Sequence, residues 1–128
     1  MAMEGTGMPW REARGVGDHG EDLACEHLEA LGWQVLDRNW RCKEGELDVV
    51  ALSDDGELVF CEVKTRRSTR CGLPVEAVGH EKARRLRRLA WAWLREHDRR
   101  PDRFRIDVIG VLLTAGDPPA LHHLRAVA

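Results

Sequence analysis

The sequence predicts an α/β domain with a central mixed sheet flanked by helices, and three observations lead there. A helical pattern comes first. Three strand-like runs follow it in close succession, separated by turn residues. A long helical pattern then divides the third run from a fourth, "FRIDVIGVLL". Strands joined by tight turns pair antiparallel, whereas a helix between two strands carries the chain across and lets them run parallel. The order is therefore α-β-β-β-α-β, with "ALHHLRAV" readable as a last edge strand. A chain of 128 residues has the size of one domain with a core shared by several elements.

"GEDLACEHLEALG" (Gly20 to Gly32) reads as a helix closed by a glycine, with Ala24, Leu28 and Leu31 as its apolar stripe. "WQVLDRNW" (Trp33 to Trp40) is the first strand and "GELDVVAL" (Gly45 to Leu52) the second. "SDDG" is a turn, and "ELVFCEVKT" (Glu57 to Thr65) is the third strand. The long helix runs from about Val75 to His97, burying Val75, Val78, Leu86, Leu89, Ala90, Trp93 and Leu94. Phe104 to Leu113 is the fourth strand.

Residues 1–14 are Gly- and Met-rich and are expected to be a disordered lead-in, leaving 15–128 as a single domain. The N-terminus lacks the apolar segment of a secretory signal, and no run approaches the ~20 apolar residues of a membrane span. The expected compartment is the cytoplasm. Cys25, Cys42, Cys61 and Cys71 have no metal-ligand spacing and read as reduced thiols. Residues 1–63 hold 15 acids and 5 bases, whereas residues 64–105 hold 14 bases and 5 acids. So basic a block suits either a polyanionic partner or a solvated arginine-rich helix face.

The hairpin between the second and third strands brings acids together. A three-residue loop, Asp54-Asp55-Gly56, puts glycine where a left-handed residue is needed. That loop sets Ser53 opposite Glu57 and therefore Asp48 opposite Glu62. Residues i and i+2 share a face, so Lys64 joins them while Val59, Cys61 and Val63 pack the other way. Opposed carboxylates repel unless a cation lies between them. Lys64 could serve as that cation in a structural ion pair, and a divalent ion that keeps some of its waters serves better. Glu21 shares the stripe of Ala24, Leu28 and Leu31 and so points at the sheet. Asp22, Glu26 and Glu29 fall on another face and are expected in solvent. An acid in a first turn is also favoured by the helix dipole alone.

These groups suit attack of water on a phosphodiester. Asp48 and Glu62 would hold Mg²⁺ or Mn²⁺ with the carbonyl of Val63, and Lys64 would orient or deprotonate the water or steady the developing charge. Glu21 would act from the outer shell. Asp-(x)n-Glu-x-Lys on adjacent strands, behind a helix bearing a glutamate, resembles the PD-(D/E)xK nuclease superfamily. Asp48, Glu62 and Lys64 match its motif, and Glu21 matches the helical glutamate of the Holliday-junction-resolvase branch. The longer stretch from Gly20 to Arg66, with its "RNWR", "GELD" and "EVKTR" blocks, resembles the YraN family of small bacterial proteins, as do "CGLPVEAVGHEKARRL" and "FRIDVIGV". The likeness covers about residues 17 to 125. It implies a restriction-endonuclease-like αβββαβ core and a nuclease or nucleic-acid role. Two positions depart from the pattern: Leu47 stands where the superfamily has Pro, and Cys61 where YraN proteins usually have Val.

On the long helix Arg84, Arg88, Trp91 and Arg95 form a stripe away from the apolar face, flanked by Arg85 and Arg87. Arginines can neutralise phosphates, and an exposed Trp can stack on an unpaired base or pack against a loop or second subunit. Arg66, Arg67 and Arg70 follow Lys64 and could grip the flanking phosphates. Arg38 and Arg41 are secondary candidates. His122 and His123 read as surface or edge-strand residues. The leading expectation is a metal-dependent nuclease acting on DNA, including branched or structured DNA. The alternatives are a non-catalytic nucleic-acid-binding module and a protein-interaction subunit docking through its basic helix. Two-fold symmetry would suit a duplex or junction, which makes a homodimer a candidate assembly.

Overall fold

A computed structural model describes residues 16–68, 70 and 79–127. The expected lead-in, Cys71, Val75 and Val78 lie outside them; the long helix itself begins at His80, behind an extended Gly79, and not near Val75 as expected. The described elements are α1 (Val16–Ala30), β1 (Gln34–Cys42), β2 (Gly45–Leu52), β3 (Leu58–Arg66), α2 (His80–Glu96), β4 (Phe104–Leu112) and β5 (Ala120–Leu124). They form one sheet in the order β1-β2-β3-β4-β5. β3 and β4 are parallel, joined through α2, and the other neighbours are antiparallel. The α/β class, the mixed sheet and the element order agree with the sequence.

Alternation along the strands divides the core between the two helices. Leu58 and Phe60 of β3 face α2, where they meet Leu86, Leu89, Ala90, Trp93 and Leu94. Val59 and Cys61 face α1 and join Ala24, Cys25 and Leu28. Phe60 lies edge-on to both Trp93 and Phe104, at 5.6 and 5.4 Å. Each such buried side chain contributes roughly 1.5–3 kcal/mol by leaving water. Leu31 departs from the expected stripe: α1 has ended by Ala30, and Leu31 is exposed.

The β2–β3 hairpin has the expected register, with Val49 opposite Cys61 and Leu52 opposite Leu58. The Ser53 amide donates to the Glu57 carbonyl at 2.9 Å, and Gly56 takes the left-handed φ of 87° that the loop requires. The Ser53 hydroxyl also bonds the Asp55 carboxylate, which holds the turn shut. This turn fixes which residues of β2 and β3 reach the same end of the sheet.

Candidate functional site

The site lies where the β2–β3 ladder gives out. Val49–Cys61 is its last regular pair, and one more step in the same register brings Asp48 to Glu62. There the pleat also turns over. Arg38 and Val49 lie on the α1 side, whereas Trp40 and Leu47, two residues on, pack on the α2 side. In a regular strand residues two apart share a face. The break falls at Asn39, whose φ of 52° is left-handed, and at Asp48, which stands between the same two ladder pairs. Asn tolerates that conformation better than most residues. Asp48 is thereby freed from simple alternation, and its Oδ2 accepts the Val63 amide at 2.8 Å.

Glu62 continues the α2-facing parity of Leu58 and Phe60 and is only 6% exposed. Its Oε2 meets Lys82 Nζ at 2.9 Å and Lys64 Nζ at 3.7 Å. Lys82, from the first turn of α2, is the nearer cation, and the expectation of Lys64 alone missed it. A sequence signal for it existed. Lys82 stands at i relative to Leu86 (i+4) and Leu89 (i+7), so it is a lysine on a buried stripe, just as Glu21 is a glutamate on one.

Glu21 is buried in the second turn of α1, which begins at Val16 and not at the expected Gly20. The preceding residue explains how it gets there. A methyl group on Gly20 would run into the Thr65 hydroxyl, so only glycine lets α1 settle this closely on β3. Arg38 pairs with Asp22 at 2.9 Å and with Glu21 at 3.7 Å, its side chain 8% exposed. Two expectations are corrected here. Asp22 does not point to solvent, and Arg38 is held inside by α1 and is not presented to a polyanion. Buried charges need such pairing, and the sequence pattern could not show which strand arginine would supply it.

Asp48 and Glu62 line two adjoining hollows. One, of about 300 Å³, is bordered by Gly45 and Glu46 of β2 and by Lys82 and Arg85 of α2. The other, of about 440 Å³, is bordered by Glu21, Lys64, Thr65 and Arg66. Burial, and then the charge of Glu62, push the Asp48 carboxyl up to about 8, against the pull of the Val63 amide; Glu21 and Glu46 push the same way. Glu46, also missed in the sequence, pairs with the exposed Arg41 at 3.7 Å. Among the described residues no three His, Cys, Asp or Glu side chains form a metal-ligand cluster. The structure brings together the Asp48 and Glu62 carboxylates, and Val63, whose carbonyl is the third expected donor, lines the same hollow. These are hard oxygens, few in number, and they suit an ion such as Mg²⁺ that keeps several waters.

On α2 the expected stripe is exposed: Arg84, Arg88, Trp91 and Arg95 all face solvent. Arg85 and Arg88 line a further hollow beside Lys82, which continues the site along the helix. Arg67 and Arg70 are exposed beyond Arg66. His123 departs from its expected surface setting. On β5 it turns inward to Asp107 at 2.8 Å and to His27 of α1 at 3.0 Å. Burial alone would raise the Asp107 carboxyl, but hydrogen bonds from His123, Arg105 and the Ala126 amide hold it below its ordinary value. Cys25, Cys42 and Cys61 are free thiols, as expected, and burial pushes Cys25 up to about 11. No helix among the described residues is long and apolar enough to cross a membrane.

Comparison with known proteins adds the following. The model of "Uncharacterised protein family UPF0102" matches residues 20–111. A UPF0102 protein of Pseudarthrobacter chlorophenolicus is 53% identical over 113 residues, covering 88% of this chain and 85% of its own. One of Frankia alni is 51% identical, covering 92% and 98%. One of Mycobacterium sp. (strain JLS) is 50% identical, covering 93% and 88%. Among solved structures, a chain of an EndoMS–dsDNA2 complex overlaps at a TM-score of 0.44 and 20% identity, covering 86% of this chain and 42% of that one. So loose an overlap leaves the functional reading to the residues of the site.

Proposed function

This chain belongs to the uncharacterised protein family UPF0102, the YraN family, and from the site it carries we propose that it is a metal-dependent nuclease hydrolysing phosphodiesters in DNA. The observation that supports this most is the pairing of half-buried Asp48 with buried Glu62. They meet at the broken end of a ladder, with Lys64 and Lys82 beside them and an arginine-lined helix above. A fold has no structural need to bring two acids together where burial penalises their charge.

In this reading Asp48, Glu62 and the Val63 carbonyl would hold Mg²⁺ or Mn²⁺. Such an ion, when bound, neutralises phosphate charge and makes an adjacent water more acidic. Asp48 is kept in place by the Val63 amide, which leaves one of its oxygens for the cation. Lys64, at the mouth of the hollow, orients the attacking water or steadies the charge that grows on phosphorus. Glu21 acts as a positioning residue behind Asp48 and Glu62, held by Arg38. Arg66, Arg67 and Arg70 grip phosphates beside the scissile one, and Arg84, Arg88 and Arg95 carry the duplex or strand along α2. Arg41 lies nearby as a further phosphate contact. Nothing in this arrangement reads base edges, so recognition is by backbone and shape.

One observation favours a second reading. Lys82 already satisfies Glu62 at 2.9 Å, as it would in a binding module that keeps the fold without turnover. A single assay separates the two. Junction, flap, duplex and single-stranded DNA are incubated with the protein in Mg²⁺ or Mn²⁺, beside Asp48→Ala and Lys64→Ala. Cleavage lost in both variants supports the nuclease. Cleavage that survives both refutes this site, and salt-sensitive binding without cleavage supports the module. No binding at low salt refutes both in favour of a protein-docking role for α2.

A further inference from the structure

We propose that the hollow at the C-terminal end of α2 binds an unpaired nucleobase with its phosphate, so that the substrate is DNA with unpaired nucleotides near the cleaved bond. The position of that bond rests on the nuclease reading above; the base site does not. The hollow, of about 330 Å³, is bounded by Trp91, Leu94, Arg95, Arg99, Arg100 and Pro101. That volume falls at the small end of ligand sites, which span about 300–1,000 Å³.

Trp91 is the platform of this hollow. It is 49% exposed, whereas Trp93 and Leu94 beside it are nearly fully buried. Its ring is not loose. It meets Phe104 edge-on at 5.1 Å, and Phe104 is itself clamped by Phe60 at 5.4 Å and by the Arg87 guanidinium at 4.6 Å. A large aromatic surface is thus held rigidly with about half its area in water. Stacking on such a platform is open to any base but needs the face of that base to be free. A base inside a duplex has both faces covered by its neighbours.

The charge around the ring fits a nucleotide. Arg95, Arg99 and Arg100 line the hollow with it, against a single acid among the described lining residues, Asp98, which pairs with Arg100 at 3.6 Å. A helix C-terminus normally repels a phosphate through its bare carbonyls. Here the chain turns at Asp98, φ 53°, and the amides of His97, Asp98 and Arg99 return to the carbonyls of Trp93, Arg95 and Leu94. The arginines, not the helix dipole, then govern the field in the hollow.

The hollow is also placed to work with the carboxylate site. Trp91 stands on the exposed stripe of Arg84, Arg88 and Arg95. At 1.5 Å per residue it is about 13 Å along α2 from Lys82, and Arg95 about 20 Å. Lys82 Nζ is 2.9 Å from Glu62. With about 3.4 Å per nucleotide along a duplex, the captured base lies about four to six nucleotides from the cleaved bond. Flaps, bulges and branch points offer such a base, and intact duplex does not.

The test compares binding of the full chain, in EDTA and at low salt, to a blunt duplex and to the same duplex with a single-stranded flap. Trp91→Ala is expected to weaken flap binding about tenfold and leave the blunt duplex unchanged, while Trp91→Phe restores most of the loss. Arg88→Ala should weaken both probes alike. 2-Aminopurine in the flap should be quenched on binding the wild type and not on binding Trp91→Ala. Equal loss on both probes, loss on neither, or no quenching would overturn the base site while leaving the nuclease reading intact. A wild type that binds neither probe would overturn the base site. Trp91→Ala that breaks a dimer and leaves flap affinity unchanged would assign the hollow to a second copy.

Discussion

Replacing Asp48 with asparagine should make this protein more stable, by an amount that depends on pH. The side chain keeps its shape and an oxygen to accept the Val63 amide, so only the charge is removed. In the unfolded chain the carboxyl ionises near 3.8, whereas in the fold burial and Glu62 push it up to about 8. Because the folded value is the higher one, folding near neutrality takes up a proton. Below about pH 3.8 both states are protonated and there is no penalty. The penalty then grows by about 1.4 kcal/mol per pH unit and levels off near pH 8. That slope sets a ceiling of about 4 kcal/mol at pH 7, and relaxation of the Asp48–Glu62 pair brings the expected gain to about 2–3 kcal/mol. Urea unfolding of wild type and Asp48→Asn, stepped from about pH 4 to pH 8, reads it directly; at neutral pH the melting temperature should rise by about 6–12 °C. A difference that stays flat with pH, or a variant less stable at pH 7, would refute the account of Asp48 as a carboxylate forced against burial and a like charge.

Three further outcomes follow from other parts of the molecule. Gly20→Ala should lift α1 from β3 against Thr65 and lower stability by about 1–3 kcal/mol in urea, whereas Thr65→Ser in the same background should restore little, since the hydroxyl is what the methyl meets. Lys82→Ala removes the cation nearest Glu62 and should raise Mn²⁺ affinity several-fold in titration calorimetry; unchanged or weaker binding would show that Lys82 does not compete for that carboxylate. Burial, then His123 and Arg125, hold His27 below its ordinary 6.5. The fold therefore favours the neutral ring, and this contribution is fully present above about pH 6.5 and is lost as pH falls from there through the lower folded value. His27→Gln should flatten the acid side of the stability profile, and an unaltered profile would count against the His27–His123–Asp107 latch.

Much of this was legible in the sequence because local rules carried it. The loop Asp54-Asp55-Gly56 determines the β2–β3 register, and that register carries Asp48 towards Glu62 at one end of the sheet. Helical spacing aimed Glu21 inward and set Arg84, Arg88, Trp91 and Arg95 outward. What escaped was settled by tertiary pairing. Arg38 sits on a strand whose alternation gives no hint that α1 will cover it. His123 looks like an edge-strand residue until Asp107 and His27 close on it from two other elements. The left-handed Asn39 has no propensity signature strong enough to betray the break in the pleat. Lys82 is different, since its place on the stripe of Leu86 and Leu89 could have been read as that of Glu21 was.

Whether Asp48 serves phosphodiester hydrolysis is read with the same variant. Hydrolysis of flap and duplex DNA is followed in Mn²⁺ with wild type, Asp48→Asn and Lys64→Ala, each shown folded by its melting curve. The wild type should cleave, both variants should lose at least about 100-fold, and Asp48→Asn should be the most stable of the three. Cleavage by Asp48→Asn at the wild-type rate would contradict this, because the carboxylate whose burial weakens the fold would then serve no chemistry.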